Sequence, residues 1–153
     1  MRCPACNNTL TAIQAESTEV DVCKDHCGGI WFDAGEFEHY DEASESATAA
    51  ILKVVKNSNV AIDRSRPRNC PRCANMILKK RFFDSTHEIE IDQCESCAGI
   101  WLDPGELLTV RNANGGSVAR KSVIDDFYAK ATSGDANAGQ QKGLKAVLGL
   151  LFR

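Results

Sequence analysis

Eight cysteines carry most of the chemistry open to this chain, and they come in pairs: Cys3 with Cys6, Cys23 with Cys27, Cys70 with Cys73, and Cys94 with Cys97. A short turn that spaces two thiolates a few residues apart aims both sulfurs at one metal. Two such turns complete the tetrahedron that zinc takes in closed, structural sites. Cys70, Cys73, Cys94 and Cys97 follow C-x2-C twice, with 20 residues between the pairs. The first set is less regular: three residues separate Cys23 from Cys27, and 16 lie between its pairs. Cys27 and Cys97 both stand four residues before a tryptophan, which puts the extra residue of the first set between Cys23 and Cys27. His26 makes a second ligand-like spacing, C-x2-H, with Cys23. Adjacent residues compete for one corner of a tetrahedron, so the reading adopted is four cysteines, with His26 as the alternative ligand. Each quartet then takes one zinc ion, two per chain.

The rival chemistries are weighed on the same residues. After Met1-Arg2-Cys3-Pro4 no apolar leader follows, because Asn7, Asn8 and Gln14 interrupt it, and this reads as a cytoplasmic chain. A reducing address favours metal ligation over disulfides. Dithiol exchange also uses C-x-x-C, but a thioredoxin-like centre needs one pair beside a βαβ unit, whereas here two pairs recur at two equivalent places. Four thiolates suit iron as well; the wide gap between pairs, filled by hairpin-like segments, favours zinc. With 153 residues and 43% hydrophobic content, the chain has room for one or two small units and not for a large enzyme core. No stretch reaches the roughly 18 to 20 apolar residues of a membrane span.

The elements that must position these cysteines repeat. Cys3-Pro4-Ala5-Cys6 returns as Cys70-Pro71-Arg72-Cys73, 67 positions on, and Gly29-Ile30-Trp31-Phe32-Asp33-Ala34-Gly35-Glu36-Phe37 returns as Gly99-Ile100-Trp101-Leu102-Asp103-Pro104-Gly105-Glu106-Leu107, 70 positions on. The net three extra positions come from four more residues between the cysteine pairs of the second module, where a hairpin absorbs them, and one fewer between Cys94 and Cys97. Met76 to Phe83 and His87 to Asp92 read as two strands, with Ile89 and Ile91 on one face and Glu88, Glu90 and Asp92 on the other. Leu10 to Gln14 and Glu19 to Cys23 are their counterparts. Asp33 with Glu36, and Asp103 with Glu106, have capping-box spacing: the aspartate oxygen is expected to accept a helix amide and the glutamate to reach back. Pro104 at the first helical position agrees. Each module spans only about 40 residues, a size at which a metal supplies what a small core lacks.

Four parts follow: module one over residues 1–42, a helical linker over 43–66, module two over 67–111, and a tail over 112–153. The linker carries an alanine-rich helix at 44–55 with Ala47, Ala50, Ile51, Val54 and Val55 as its stripe, then Arg64-Ser65-Arg66-Pro67 as linker proper. The tail has a helix at 117–131, a polar flexible stretch at 133–141, and a short apolar helix whose Leu144, Val147, Leu148 and Leu151 want a partner, either the body of the protein or a second copy. Net charge is -3, unevenly spread: residues 1–40 carry 2 basic and 7 acidic side chains, residues 67–110 carry 5 and 7, and residues 111–153 carry 7 and 3. Acidic cysteine modules suit phosphate backbones poorly, leaving nucleic-acid contact to the tail.

Cys70 to Cys73 and Cys94 to Leu107, read as Cys-Pro-x-Cys, strand pair, then Cys-x-x-Cys-x-Gly-Ile-Trp-Leu-Asp-x-Gly-Glu-Leu, closely resemble the bacterial zinc-finger domain named for its likeness to the zinc ribbon of transcription factor IIB. Module one is similar through Cys3, Cys6, Cys27, Gly29, Trp31, Asp33, Gly35 and Glu36, departing in the residue inserted before Cys27 and in Phe32. The resemblance implies a zinc-ribbon-like knuckle followed by a short helix. It therefore implies a small α+β fold of tandem zinc-ribbon-like modules, each a short hairpin with two metal knuckles and a following helix, plus linking and C-terminal helices. The transcription label is inherited from a shape and says little about activity.

The remaining motif residues have structural readings. Trp31 and Trp101 pack on the metal knuckle in the first reading and anchor a protein partner in the second. Gly28, Gly29, Gly35, Gly99 and Gly105 serve tight turns. The carboxylates at 33, 36, 103 and 106 are helix caps, and no catalytic residue is assigned. His39 and His87 have no counterparts in the other module. Lys79-Lys80-Arg81-Phe82-Phe83 mixes charge and rings as single-strand binders do, but Asp84, Glu88, Glu90 and Asp92 offset it. These readings amount to a zinc-binding, non-enzymatic protein that works through protein contacts in regulation or assembly. Transcription-associated nucleic-acid binding and a redox-sensing or zinc-handling role are the alternatives.

Overall fold

Val20 and Val22 flank Asp21, and Ile89 and Ile91 flank Glu90, so the second strand of each hairpin puts its apolar side chains on one face. In the computed structural model, which describes residues 1–15, 18–37, 51, 56–57, 59–83, 89–113 and 129, this alternation becomes two three-stranded antiparallel units. Strands β1 (Thr11–Ala15), β2 (Thr18–Val22) and β3 (Ile30–Phe32) form the first, and β4 (Lys79–Phe82), β5 (Glu90–Gln93) and β6 (Ile100–Leu102) the second. Helix α1 (Glu106–Ala113) follows β6.

The two units join through β3 and β6 into one six-stranded sheet of order β1-β2-β3-β6-β5-β4. The junction is antiparallel and pairs Ile30 with Leu102, Trp31 with Trp101, and Phe32 with Ile100. Trp31 therefore meets its own counterpart, Ile30 and Phe32 each face the counterpart of the other, and an approximate twofold passes through the tryptophan pair. Alternation then splits the junction between two cores. Ile30, Phe32, Ile100 and Leu102 lie on one face with Val20, Val22 and Ile91, together with Phe37, Ile51, Leu107 and Val110. Trp31 and Trp101 lie in a second cluster with Leu10, Leu78 and the cysteines, against which Val60 and Ile62 pack. Phe37 of the first module lies edge-on to Phe32 and to Phe83 of the second, with ring centroids 5.2 and 5.7 Å apart.

The strand register shows where the repeat lengths differ. The bridge Arg2 to Thr9 corresponds to Asn69 to Ile77, one residue longer. Ala15 faces Thr18 in the first hairpin, whereas Phe82 faces Glu90 in the second, a loop longer by five residues of which two form the extra rung Phe83 N to Ile89 O. The strand expected from Met76 thus begins only at Lys79, because Ile77 is committed to closing the first knuckle against Asn69. Residues 84–88, including His87, lie outside the described residues.

One expectation needs correction, and another is described only in part. Asp92 does alternate away from Ile91, but it is buried, since that face is covered by Arg68 and not by solvent. Among the described residues α1 is the one helix of any length, so a helix after each module is seen only after the second. Glu36 and Phe37 take helical backbone, and the segments 44–50, 52–55, 114–128 and 130–153, with His39, lie outside the description. No described helix is long and apolar enough to cross a membrane.

Gly29 and Gly99 are not turn residues. A Cβ on Gly29 would lie 2.2 Å from a ring carbon of Trp101, and one on Gly99 would lie 2.1 Å from the same ring carbon of Trp31. Each indole therefore occupies the space above the other module's glycine. Gly28, Gly35 and Gly105, at φ 78°, 86° and 94°, are the glycines that turns require. Gly99→Ala forces a central, fully buried ring to move, so a loss of about 1 to 3 kcal/mol is expected. Equilibrium denaturation checks it. Trp31→Ala in the same chain should offset part of the Gly99→Ala loss, and simple additivity of the two would count against the interlock.

Candidate metal centres

At the end of each three-stranded unit two knuckles close on each other. In the first, Cys3 N donates to Asn8 O at 2.7 Å and Gly28 N to Cys23 O at 2.9 Å. In the second, Cys70 N donates to Met76 O at 2.7 Å and Ala98 N to Cys94 O at 2.9 Å. Ala98 takes φ 57°, the left-handed conformation that Gly28 holds in the first module. These turns gather Cys3, Cys6, Cys23 and Cys27 into one cluster and Cys70, Cys73, Cys94 and Cys97 into another, the four sulfurs of each lying within 4.8 Å of one another.

The spacing within the clusters tests whether a metal fits. Cys3 to Cys27 and Cys6 to Cys23 are 3.5 Å apart between sulfurs, and Cys70 to Cys97 is 3.7 Å. A zinc-thiolate tetrahedron with bonds of about 2.3 Å has edges of about 3.8 Å. All eight cysteines are free. Two four-cysteine clusters, each capable of coordinating a zinc ion, are therefore present. Four thiolates fill the tetrahedron and leave no open position for a substrate, which makes these structural and not catalytic sites. His26 stands outside the quartet, with Nδ1 3.1 Å from Cys6 Sγ. It supports that sulfur from behind, as outer partners of metal ligands do.

Crowding of the sulfurs shows in their titration. Hydrogen bonds from Cys27 and Cys3 pull Cys23 down to about 2, while the bond to Cys23 pushes Cys27 up to about 12. Bonds to Cys23 and Cys27, then burial, push Cys3 well above the thiol range. In the second cluster burial opposes the Cys94 thiolate, but the backbone N–H groups of Cys97 and Ser96 and the thiols of Cys70 and Cys97 outweigh it and lower it. Cys70 and Cys97 are raised, by burial first. Equivalent positions behave alike: one sulfur per cluster collects negative charge that its neighbours cannot share. A divalent cation removes that restriction, which is the chemical reason such a cluster binds one.

Carboxylates and indoles form a second shared pattern. Glu36 Oε2 accepts from Asp33 N at 2.7 Å and Glu106 Oε2 from Asp103 N at 2.7 Å, so both glutamates reach back as expected. The aspartate side chains do something else: Asp33 Oδ1 accepts Trp31 Nε1–H at 2.8 Å, and Asp103 Oδ1 accepts Trp101 Nε1–H at 3.0 Å. Each thus fastens an indole to the helix start. Both tryptophans are 0% exposed, so their reading as exposed partner anchors gives way to packing. Arginines that sequence reasoning missed complete the pattern. Arg68, 4% exposed, bonds Asp92 at 2.6 Å and Asp103 at 2.7 Å, and Arg72 crosses between modules to Asp33. Their sequence signal was weak, because Arg68 follows directly on the linker-like Arg64 to Pro67 and Arg72 fills the variable position of Cys-Pro-x-Cys. On the edge strand, Lys80 pairs with Glu90 at 3.0 Å and Arg81 with Glu95 at 3.1 Å; Phe83 is buried and Phe82 is 50% exposed.

Three-stranded units closed by four cysteines define a zinc-ribbon-like metal-binding protein. The chain belongs to the transcription factor zinc-finger family, whose model matches residues 2–43 and 69–113, more than half of the sequence and both modules. No curated protein and no solved structure shows significant similarity to it.

Two outcomes follow from these sites. Reduced, full-length protein should hold two zinc ions, and a strong chelator should remove both with loss of the β-sheet signal in circular dichroism. Acid should do the same, because protons compete for thiolates. Burial, then the Asp103 charge, pushes Glu106 up to about 7. An acid raised in the folded state binds its proton more tightly there than in the unfolded chain, so its contribution to stability falls as pH rises from about 4.5 to 7. Glu106→Gln keeps an acceptor for Asp103 N and removes the buried charge. The zinc-loaded variant should be more stable than the wild type by roughly 1 kcal/mol at pH 8, and urea titrations should show that gap narrowing towards pH 6.

Proposed function

We propose that the protein is a zinc-stabilised binding protein that works through contacts with another protein, in regulation or assembly, in the reducing cytoplasm. Its ligands are Cys3, Cys6, Cys23 and Cys27 in the first module, within residues 1–42, and Cys70, Cys73, Cys94 and Cys97 in the second, within 67–111. The observation that carries this reading is that, among the described residues, the motif cysteines and carboxylates suited to chemistry are engaged inside the fold. The thiols face one another, Glu36 and Glu106 hold helix starts, Asp33 and Asp103 hold indoles, and Arg68 and Arg72 are bound to them. What such a protein offers to the cell is its surface.

Nucleic-acid binding is the second reading, favoured by the family description and by the 7 basic against 3 acidic side chains of residues 111–153. The modules argue against it, since two of the three charges of the basic strand β4, Lys80 and Arg81, are paired with Glu90 and Glu95. Self-association through the segments 117–131 and 144–152 would serve a protein-binding role equally. Titration of zinc-loaded protein with duplex DNA, single-stranded DNA and RNA separates the readings. The expected result is no saturable complex at roughly physiological salt. A complex whose affinity falls steeply and linearly on a logarithmic salt scale would instead establish phosphate contacts and the nucleic-acid role.

A further inference from the structure

The two quartets have the same ligands and different cover. In the first, Cys3, Cys23 and Cys27 are buried and Cys6 is half-buried; in the second, Cys70 and Cys94 are buried, whereas Cys73 and Cys97 are both half-buried. The cover over the first can be traced. His26 lies against the sulfur of Cys6, and the His26 carbonyl accepts Asn57 N–H at 2.8 Å. Lys56 sits against Gly28, where a Cβ would meet Lys56 Cβ at 3.1 Å. The returning linker is thus laid across the second knuckle of module one. The matching turn of module two is Cys94-Glu95-Ser96-Cys97, with Ser96 where His26 stands. Glu95 and Ser96 are exposed. The described side-chain bond reaching this turn from another element runs from Arg81 to the Glu95 carboxylate, not to a sulfur.

We propose that the second quartet is a peroxide-reactive centre in which Cys73 and Cys97, the two half-buried sulfurs of one cluster, react, while the first quartet stays inert. This rests on the reading that both quartets hold zinc, and it gives one of them a regulatory role. Oxidation of a thiolate needs the oxidant to reach the sulfur, so exposure selects among otherwise similar thiolates. The Cys97 thiolate attacks one oxygen of hydrogen peroxide: an S–O bond forms, the O–O bond breaks, and hydroxide leaves. The Cys73 thiolate, within 4.8 Å, then attacks the Cys97 sulfur, forming the S–S bond as the second hydroxide departs. Two thiolates lose two electrons, and the peroxide is reduced to two hydroxides that solvent protons convert to water. Cys70 and Cys94 alone cannot complete a tetrahedron, so zinc is lost from module two. Because β6 pairs with β3, loosening of this module is felt at the junction with the first.

The test uses reduced, full-length protein loaded with zinc. Its starting content is measured first, and fewer than two zinc ions per chain would defeat the zinc reading itself. The protein is then treated with hydrogen peroxide, sampled over time, quenched by alkylation and mapped by mass spectrometry, with released zinc read by a chromogenic chelator. The expected result is a first disulfide joining Cys73 to Cys97, release of one zinc per chain, and module-one cysteines that remain alkylatable and oxidise at least about tenfold more slowly. With two zinc ions at the start, equal or faster oxidation of module one, or a first disulfide that leaves out either Cys73 or Cys97, would overturn the proposal.

Discussion

The pairing of β3 with β6 holds the rest of this molecule together. A unit of about 40 residues cannot bury enough apolar surface to be stable alone, and each module meets that shortage twice, with a thiolate cluster at one end and the other module along one edge. The register Trp31 to Trp101 decides the outcome on both faces of the sheet at once. On one face it brings Ile30, Phe32, Ile100 and Leu102 into a single apolar layer. On the other it seats each indole above the glycine of the opposite repeat, where no other residue leaves room.

The carboxylate, indole and arginine contacts extend from that junction. The single residue separating tryptophan from aspartate lets the indole N–H reach the side chain that begins the following helix segment. Arg68 then donates to both Asp103 and Asp92 within the second module, and Arg72 reaches Asp33 across the boundary. Buried ion pairs of this kind are weak sources of net stability but strongly resist losing one partner. The buried pairs here lie within the second module, and it is the half-exposed Arg72–Asp33 pair that reaches across to the first. The structural role of these groups is the reason they are unavailable for catalysis.

Symmetry in the sheet does not extend to the metal clusters' surroundings. The same four-sulfur arrangement is roofed in one module by a linker segment and a histidine, and left half open in the other. Duplicated sites freed from identical constraints in this way can divide roles, one holding the fold and the other responding to its surroundings.

Much of this was legible in the chain itself. Metal clusters are written in cysteine spacing, because a knuckle is local geometry, and the helix starts are written in Asp-x-x-Glu for the same reason. Hairpins followed from period-2 alternation, although the repeat's length difference had to be divided between knuckle and hairpin by the register. What alternation cannot convey is which face meets solvent: Asp92 looked solvated and is buried beneath Arg68, and Trp31 and Trp101, for which packing was the first reading and a partner anchor the second, are sealed. The partners of these residues lie tens of positions away. Spacing along the sequence determined two zinc-binding units of one family; only the tertiary structure decided that they share one sheet, interlock through glycine and tryptophan, and shield their sulfurs unequally, because each of these depends on contacts between distant segments that no local pattern encodes.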